Sequence, residues 1–495
     1  MAAKQHTYSN LIRSTGLLSA VQVVYVLLSM IRTKIVSIFI GSEGLGLIDL
    51  YSRAITTVSC LTNFGLATSA IQHLSKIYKE HPGKRFVYSV CVIRTWVMLT
   101  ALLGTVLMLG FAFLFYDGKY ATPLCFLAPL VGFSAITGGE TALLKATHRL
   151  RRLAYVTLLG ALAALLASAV AYPIWGLKSV VIVMLLSALL LAVAALYYGH
   201  HTVPYCIRLF SPRLLRQGAH LLRLGGALVL AAVMASVAEM LIRSDILNVS
   251  GSEREVGFYS AAVTLTVSYL QIVFTTLDAD FFPKLSAAHG NRHESNVLIN
   301  RQAVLLVLLM SPLLILFALF LPVIVVVLYK TEFLCIVPMV TISLIYMFFK
   351  AVYTPVAYLS LAHADSVLFF FMELGYNVCF VISIVWGYHL NGLVGAGWGM
   401  VAANFCDLVA VTVFYGWRYR FSFERHTLVF TTLQFVCFAA GLFCAWQASL
   451  PIKVFGFLPL ALSFRLSWHE LQRDPAFMQV LQKYIPKFLL RSKEV

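Results

Sequence analysis

Long apolar segments recur from one end of this chain to the other, and most approach the ~20 residues that a helix needs to cross a bilayer. Only 12% of the residues are charged, against roughly a quarter in soluble domains. Backbone polar groups in hydrocarbon must be satisfied within the segment, so these segments are expected to be helices. The sequence therefore predicts an all-α, polytopic membrane protein with about 14 transmembrane helices. The predicted segments lie near residues 17–38, 45–72, 86–115, 121–144, 153–173, 178–199, 221–247, 256–282, 302–329, 334–360, 366–389, 391–417, 427–447 and 449–464.

A short phrase occurs twice in the chain. The first copy reads Gly41-Ser42-Glu43 and then Tyr51-Ser52, and the second reads Gly251-Ser252-Glu253 and then Tyr259-Ser260. The spacing of the two copies is far longer than the ~20–50 residues of a solenoid repeat. It indicates two homologous half-bundles, an arrangement of many secondary transporters in which the substrate binds between the repeats.

The repeat and the loops divide the chain into four predicted parts. Residues 1–199 form an N-terminal six-helix lobe, and residues 221–417 form a C-terminal six-helix lobe. Between them, residues 200–220 are basic and amphipathic and are expected to lie on the cytoplasmic membrane surface. Residues 418–495 add a helix pair and a cytoplasmic tail.

The net charge of +17 would by itself also suit a nucleic-acid-binding protein. However, most of the 37 Lys and Arg residues are dispersed over many short loops on one predicted side of the membrane. This positive-inside pattern predicts a multi-pass protein with both termini in the cytoplasm and no nucleic-acid partner. The first apolar run leads into Arg32 and Lys34 rather than a small-residue cleavage site, so we expect a retained helix rather than a signal peptide.

No motif for a metal, a cofactor or catalysis is evident in the sequence. The nine cysteines show neither metal-ligand spacing nor paired positions in loops. No G-x-x-x-x-G-K-[ST] phosphate-binding loop is present, which argues against ATP as the energy source. No set of nucleophile, base and oxyanion donors is recognisable either, so we expect no enzyme activity.

Three stretches of the chain resemble a known family. Ser250–Ala287, with Glu255–Ala262 and Phe282–Ser286, resembles the seventh-to-eighth helix region of Wzx-type O-antigen and polysaccharide flippases. These belong to the multidrug/oligosaccharidyl-lipid/polysaccharide (MOP) exporter superfamily. Lys34–Gly46 resembles the family's first helical hairpin, and Gly392–Asp407 its twelfth helix. In helix count and loop charge the resemblance extends over most of the chain.

The resemblance implies a V-shaped fold of two six-helix half-bundles plus two C-terminal helices. It also implies a flippase that moves undecaprenyl-diphosphate-linked oligosaccharide repeat units from the inner to the outer leaflet of the bacterial cytoplasmic (inner) membrane. Transport in such proteins is thought to be coupled to a proton or sodium gradient by alternating access. The implied partners are the lipid-linked glycan, the coupling ion, membrane lipid and the polysaccharide polymerase or export machinery.

Ionisable residues within membrane helices are costly and are candidates for function. Asp49 and Arg53 are four residues apart, as are Glu239 and Arg243, so each acid lies beside its base on one helix face. Each pair either only neutralises itself or presents a guanidinium that grips a diphosphate through paired hydrogen bonds. Arg53 and Arg243 are therefore candidates for binding the anionic headgroup.

Three further basic residues are candidates for the same role. Lys350 has no acid within one turn of its helix, so it either meets an acid from another helix or faces a wet cavity. Arg94 either reaches the headgroup or snorkels to the interface. Arg32 either anchors the outer end of the first helix at the interface or lies at a cavity mouth.

Acids and amides form a second set, because carboxylate and amide oxygens suit a proton or a sodium ion. The predicted eleventh and twelfth helices carry two such pairs and are expected to pack together. Burial in a polar helix contact explains each residue equally well. The candidates for ion coupling are Asp407, Glu373, Asn404, Asn377, Asp278 and Asp280.

Three alternative functions stay open on the sequence alone. A lipid II (peptidoglycan precursor) flippase also needs a cationic cavity and fourteen helices. A MATE-like cation or drug antiporter would suit an acidic cavity better than one with Arg53, Arg94 and Lys350. A membrane glycosyltransferase or polymerase would need a large extramembrane loop, whereas the predicted external loops are short.

Overall fold

A computed structural model describes residues 2–80, 83–116, 118–204, 226–288, 290–447 and 450–473. These ranges contain helices and turns and no β-strand. Nine helical stretches within them are long and apolar enough to cross a membrane, or ten if one bent helix pair is counted as a span. The predicted all-α, polytopic fold is confirmed.

The described residues form two compact units. The first unit comprises the described residues of Met1–Ser260 and of Val326–Phe333, and the second those of Ala261–Val325 and of Leu334–Val495. This division follows packing, whereas the predicted lobes follow the internal repeat, and the lobes stay a prediction. Most of the predicted 200–220 segment (205–220) and the tail from 474 lie outside the described ranges.

The helices of the first unit correspond in order to the predicted segments from the first to the start of the eighth. They are α1 (Ala2–Phe39), α2 (Gly41–Asn63), α3 (Leu66–Glu80), α4 (Lys84–Phe115), α5 (Gly118–Leu127), α6 (Pro129–Ala146), α7 (Leu150–Trp175), α8 (Val180–His200), α9 (Gly226–Ser250) and α10 (Glu253–Val263).

The second unit begins within α10, which continues through a π-helical turn at Thr264–Ser268. A 3₁₀ turn at Thr331–Ile336 precedes α13. The helices that follow α10 are α11 (Gln271–Ala287), α12 (Arg292–Leu328), α13 (Val337–Ala362), α14 (Ser366–Tyr419), α15 (Arg425–Trp446), α16 (Leu450–Phe455) and α17 (Phe457–Arg473).

The predicted segments at 45–72 and 449–464 do not match single helices of the structure. The segment at 45–72 is two helices bent by 47°, because Phe64 and Gly65 both have positive φ and end α2. The segment at 449–464 is placed too early, since α16 and α17 are separate helices on either side of Gly456. Apolar composition alone does not register such breaks.

Helix α14 contains two helices that fold back on each other, as predicted for the eleventh and twelfth segments. Its regular backbone is interrupted at Asn391 and Gly392, and Gly392 has a φ of 52°. On either side of this turn the halves touch, because a Cβ on Gly387 would overlap the carbonyl oxygen of Gly395. The two halves therefore present the predicted acidic residues from neighbouring helices.

The repeated phrase is a turn between two helices. Gly41 and Gly251 have φ values of 63° and 64°, a left-handed conformation that glycine adopts without a Cβ clash. Gly41 lies two residues after the last residue of α1 and begins α2, and Gly251 lies between α9 and α10. The same residue type thus makes the same turn in both copies.

The two copies of the phrase also contact each other. A Cβ on Gly46 of α2 would overlap the carbonyl oxygen of Glu253, and a Cβ on Gly257 of α10 would overlap that of Ser42. The contact is reciprocal, since each glycine lies against the residue four positions before the other glycine. Small residues allow membrane helices this close approach.

Polar contacts surround this helix crossing. The Lys34 ammonium donates to the backbone carbonyls of Val326 at 2.7 Å and Tyr329 at 2.6 Å, at the end of α12. A cation satisfies the carbonyls that a helix leaves free at its C-terminus. The Glu332 carboxylate accepts from the backbone N–H of Ser42 at 3.2 Å. These contacts tie α1 and α2 to the residues that follow α12.

A buried polar network holds the last helices of the second unit. The Gln434 amide of α15 donates to the Ser467 hydroxyl of α17 at 3.0 Å and accepts from Ser463 at 2.6 Å. Ser467 in turn donates to the backbone carbonyl of Leu308 in α12 at 2.9 Å. Because every member is buried and bonded, the network fixes how α17 packs on α15 and α12.

We predict that Gly46→Ala destabilises the protein, because the added methyl group forces α2 and α10 apart at a cost of about 1–3 kcal/mol. Gly110→Ala is the matched control, since a Cβ there has nothing within 4 Å. Both substitutions gain the same helix propensity of up to about 1 kcal/mol. Thermal unfolding of the detergent-solubilised protein should show a lower midpoint for Gly46→Ala than for Gly110→Ala. Equal midpoints would contradict the close crossing.

Candidate functional site

The two acid–base pairs predicted on separate helices meet in the first unit. Asp49 and Arg53 lie on α2, Glu239 and Arg243 lie on α9, and the two helices pack side by side. We call these four residues the charge quartet. Asp49 lies between the two arginines, one oxygen facing Arg53 and the other facing Arg243. Two carboxylates and two guanidinium groups leave the quartet with no net formal charge.

Arg243 is the buried centre of the quartet, with 0% of its side chain exposed. Its Nε donates to Asp49, and its Nη1 donates to the Glu239 carboxylate and, at 2.9 Å, to the Glu239 backbone carbonyl. The Tyr259 ring lies 5.3 Å from the guanidinium carbon, within cation–π range. Arg243 is thus enclosed by protein groups, which favours a structural role.

Arg53 differs from Arg243 in exposure. Its side chain is 36% exposed, and its Nε donates to Asp49 at 3.3 Å. Within the described residues no hydrogen bond engages its two terminal nitrogen atoms. These nitrogens form the fork that binds phosphate oxygens in pairs. Arg53 therefore has exposed terminal nitrogens that a ligand can reach, whereas the guanidinium of Arg243 is buried.

Arg94 forms a buried ion pair that the sequence did not indicate. Its Nε and Nη2 donate to the two oxygens of Glu140 at 2.7 and 2.8 Å, and its Nη1 donates to the carbonyls of Val203 and Pro204. The side chains of Arg94 and Glu140 are 4% and 3% exposed. The buried ion pair with Glu140 favours a structural role for Arg94 over snorkelling to the interface. Its role in headgroup binding stays a prediction, and the geometry favours anchoring of the chain after α8.

Arg32 lies partly buried on α1. Its Nε donates to the Ser168 hydroxyl of α7 at 3.1 Å. Its side chain lines a cavity of about 580 Å³ in the first unit. Of the two interpretations open for Arg32, the geometry favours the cavity over simple anchoring.

The second unit contains a cavity of about 280 Å³ that gathers several predicted residues; we call it the acid cavity. It lies between α13 and the two halves of α14. Its polar lining consists of Lys350, Tyr353, Thr354, Tyr358, Glu373, Tyr376, Asp407 and Tyr415. The headgroup candidate Lys350 and the coupling candidates Glu373 and Asp407, predicted as separate sets, share this one cavity.

Lys350 is held in the acid cavity by neutral groups. Its ammonium donates to the Gln271 side-chain oxygen at 2.9 Å and to the Tyr346 hydroxyl at 3.4 Å. It also lies 5.6 Å from the centre of the Phe274 ring. No ion pair within 4 Å engages Lys350 among the side chains that the structure describes. Of the two predicted environments, the structure favours the cavity over a direct acid partner.

The hydroxyl of Tyr353 connects the amide and carboxylate of the predicted twelfth helix. It donates to the Asn404 side-chain oxygen at 2.9 Å, and it also lies beside the Asp407 carboxylate. Asn404 itself is buried, and its amide donates to the carbonyl of Met400 one turn earlier. Asn404 thus supports Tyr353, while Asp407 faces the cavity.

Asn377 and Asp278 are not among the residues that line this cavity. Asn377 donates to the backbone carbonyl of Glu373 at 2.8 Å rather than to its carboxylate. One oxygen of Asp278 accepts from the Tyr358 hydroxyl at 2.8 Å. The side chain of Asp280 is outside the part of the chain that the structure describes. Coupling through these three residues stays a prediction.

The sequence alone did not assign a role to the tyrosines of these sites or pair Glu140 with Arg94. Tyr259 stands in the repeated phrase, and Tyr353 follows Lys350 by three residues, so both were marked by their position. No sequence position marked Tyr376 or the pairing of Glu140 with Arg94. These contacts depend on which face each helix turns toward its neighbour. Apolar residues on every helix face hide that rotation.

Comparison with solved structures identifies the fold. The chain is similar to the lipid II flippase MurJ in an inward closed conformation, with a TM-score of 0.71 and 11% identity over 92% of this chain and 98% of that one. It is similar to an inward-facing multidrug resistance MATE family transporter of the MOP superfamily, with a TM-score of 0.63 and 16% identity over 80% and 94% of the two chains. The fold is therefore that of the MOP-superfamily membrane transporters.

A MOP superfamily transporter from Pyrococcus furiosus, described as having a binding pocket of reverse polarity, also shares the fold. Its TM-score is 0.56 at 15% identity, over 82% of this chain and 93% of that one. No curated protein sequence matches the chain significantly. Residues 35–338 match the family model described as polysaccharide biosynthesis protein. The match covers more than half of the chain, and the protein belongs to this family.

We predict that Arg243→Ala and Arg53→Ala differ sharply in stability. Removing Arg243 leaves Asp49 and Glu239 without their buried cation, a loss of about 3–5 kcal/mol. Removing the partly exposed Arg53 should cost less than about 1 kcal/mol. The melting temperatures of the purified variants check this. Similar losses for both would contradict the division of the quartet into a structural and an available arginine.

Proposed function

We propose that the protein is a flippase. It translocates undecaprenyl-diphosphate-linked oligosaccharide repeat units from the inner to the outer leaflet of the bacterial cytoplasmic membrane, by ion-coupled alternating access and without enzymatic chemistry. Membership of the polysaccharide biosynthesis family supports a glycan substrate. The MOP fold supports transport, since both MurJ, a lipid II flippase, and MATE transporters share it.

The availability of Arg53 is the observation that carries this proposal. The diphosphate of the substrate is a dianion that two terminal guanidinium nitrogens bind in parallel. When Arg53 turns toward this ligand, the Asp49 carboxylate is not left unpaired, because Arg243 still donates to its other oxygen. The quartet thus releases one cation to the substrate while the buried carboxylate keeps one partner.

The acid cavity supplies the proposed coupling. Counted as formal charges, Glu373 and Asp407 contribute two negative charges and Lys350 contributes one positive charge, so the lining has one uncompensated negative formal charge. Buried charge is costly unless it is compensated. One proton or one sodium ion on the carboxylates completes this compensation, with tyrosine hydroxyls as further oxygen ligands.

Lys350 links the coupling ion to an anionic ligand. While both carboxylates are charged, their potential opposes binding of an anion near Lys350. Neutralising one of them removes this opposition, so cation and anionic headgroup bind more tightly together than alone. Lys350 is therefore proposed as a headgroup ligand whose strength depends on the coupling ion.

A deletion experiment in the native host tests the proposed function. We expect lipid-linked oligosaccharide to accumulate in the inner leaflet and the corresponding surface glycan to be lost. Rescue with wild type restores the glycan. Rescue with Arg53→Ala should restore less than about a tenth of it, since a charge-assisted hydrogen bond contributes roughly 1.5–3 kcal/mol. Arg53→Lys keeps the charge without the fork and should be intermediate.

Other outcomes of the deletion point elsewhere. Unchanged surface glycan with increased sensitivity to cationic dyes would support a MATE-like antiporter. Lethality with accumulation of peptidoglycan precursor would support a lipid II flippase. Lipid-linked glycan that lacks a sugar, or that reaches the outer leaflet but is not polymerised, would indicate a glycosyltransferase or polymerase. Each of these results would overturn the proposal.

We predict that the coupling cation stabilises the purified protein through Asp407. A cation that binds only the folded state raises the melting temperature with concentration. Wild type should respond to sodium at constant ionic strength, with choline as the replacement ion, or to a fall in pH. Asp407→Asn should abolish this response, whereas Glu294→Gln should keep it because Glu294 is an exposed residue at the start of α12, outside the cavity lining. A wild-type response in Asp407→Asn would exclude this carboxylate as the site.

A further inference from the structure

The cavity lined by Arg32 has a chemistry unlike that of the acid cavity. It lies in the first unit between α1, α2, α6, α7 and α8, and its volume of about 580 Å³ is within the range of about 300–1,000 Å³ for ligand pockets. Arg32 is the charged residue in its lining, which includes no carboxylate among the described residues. Most of the remaining polar residues in its lining carry hydroxyl groups, and they come from several helices.

These hydroxyl groups face the cavity as hydrogen-bond acceptors. Four of them already donate their proton to a backbone carbonyl of their own helix. They are Ser52 to Ile48 at 2.6 Å, Thr141 to Gly138 at 3.1 Å, Thr157 to Leu153 at 3.0 Å and Ser187 to Met184 at 2.9 Å. A hydroxyl oxygen keeps lone pairs after donating. The cavity therefore offers acceptors to a ligand that is rich in O–H donors.

Apolar and aromatic groups complete the lining. Leu28, Ile48 and Leu130 provide apolar surface, and Tyr25 adds a partly exposed ring. A pyranose sugar presents both hydroxyl donors around its edge and C–H groups on its faces. Such a ligand matches alternating acceptors and apolar surface, and an acidic or acceptor substituent on it would bind the Arg32 guanidinium.

We propose that this cavity is a sugar-binding subsite for the oligosaccharide that the protein transports, and we call it the glycan subsite. The inference rests on the proposed function, because it names the part of the substrate that binds there. Arg53 then binds the diphosphate, and the glycan subsite binds one or more neutral or acidic sugar units. Thr141 and Thr157 are the acceptors assigned to sugar hydroxyls.

Two other occupants fit the lining less well. A lipid acyl chain would leave the hydroxyl oxygens and the Arg32 guanidinium facing hydrocarbon, which is costly for polar groups. An organic cation would meet the positive charge of Arg32 with no carboxylate in the described lining to compensate. A hydroxyl-rich ligand satisfies both kinds of group.

The test compares two ligands on the full-length protein in nanodiscs. One ligand is undecaprenyl diphosphate, and the other is the lipid-linked oligosaccharide extracted from a strain that lacks this protein. The variant is Thr141→Val with Thr157→Val, which keeps side-chain shape and removes both hydroxyls. The matched control is Thr141→Ser with Thr157→Ser, which keeps them. Native mass spectrometry measures the two dissociation constants for each protein.

We expect the valine variant to bind the lipid-linked oligosaccharide about tenfold more weakly, the effect of two lost hydrogen bonds. Its affinity for undecaprenyl diphosphate should stay within about twofold, and the serine control should match wild type. Equal weakening for both ligands, or none for either, would overturn the glycan subsite while leaving the flippase proposal intact. Failure of wild type to bind either lipid would instead overturn the proposed function.

Discussion

The first unit depends on the ion pairs of the buried Arg243 guanidinium. A cation with no exposed surface requires compensation, and Asp49 from α2 and Glu239 from its own helix provide it. Because Asp49 is shared, the same carboxylate positions Arg53 at the more exposed side of the quartet. Burial of one arginine thus fixes the place of the other. The two helices that pack around Arg243 leave Arg53 partly exposed, and for this reason we propose Arg53 as a substrate ligand.

The repeated phrase serves two physical purposes in this arrangement. Its first glycine turns the chain from one helix into the next at the left-handed φ of Gly41 and Gly251. Later glycines, Gly46 and Gly257, bring the helices of the two copies into backbone contact. This crossing lies on the same helices, α2 and α10, that carry Asp49 and Tyr259. Packing at the repeat and charge compensation in the quartet therefore stabilise each other.

The fold could be predicted from sequence because hydrocarbon forces each apolar segment into a helix. The pairing of Asp49 with Arg53 followed from helix periodicity in the same way. The sequence could not predict how each helix is rotated about its axis or which distant residues meet. It therefore gave neither the ion pair of Arg94 with Glu140 nor the shared cavity of Lys350, Glu373 and Asp407. Helices that are apolar on all faces carry no amphipathic pattern to orient them. Breaks at Phe64 and Gly456 depend on local backbone geometry and were missed for that reason.

The proposed activity of this protein is the movement of a lipid-linked glycan across a bilayer. The most direct measurement reconstitutes the purified protein into liposomes that contain the lipid-linked oligosaccharide, and follows the glycan with a membrane-impermeant, glycan-modifying reagent. Translocation predicts that an imposed proton or sodium gradient shifts the reagent-accessible fraction away from one half, and that Arg53→Ala liposomes stay near one half. An accessible fraction that the gradient leaves unchanged in wild-type liposomes, with the protein shown to be folded, would contradict the claim.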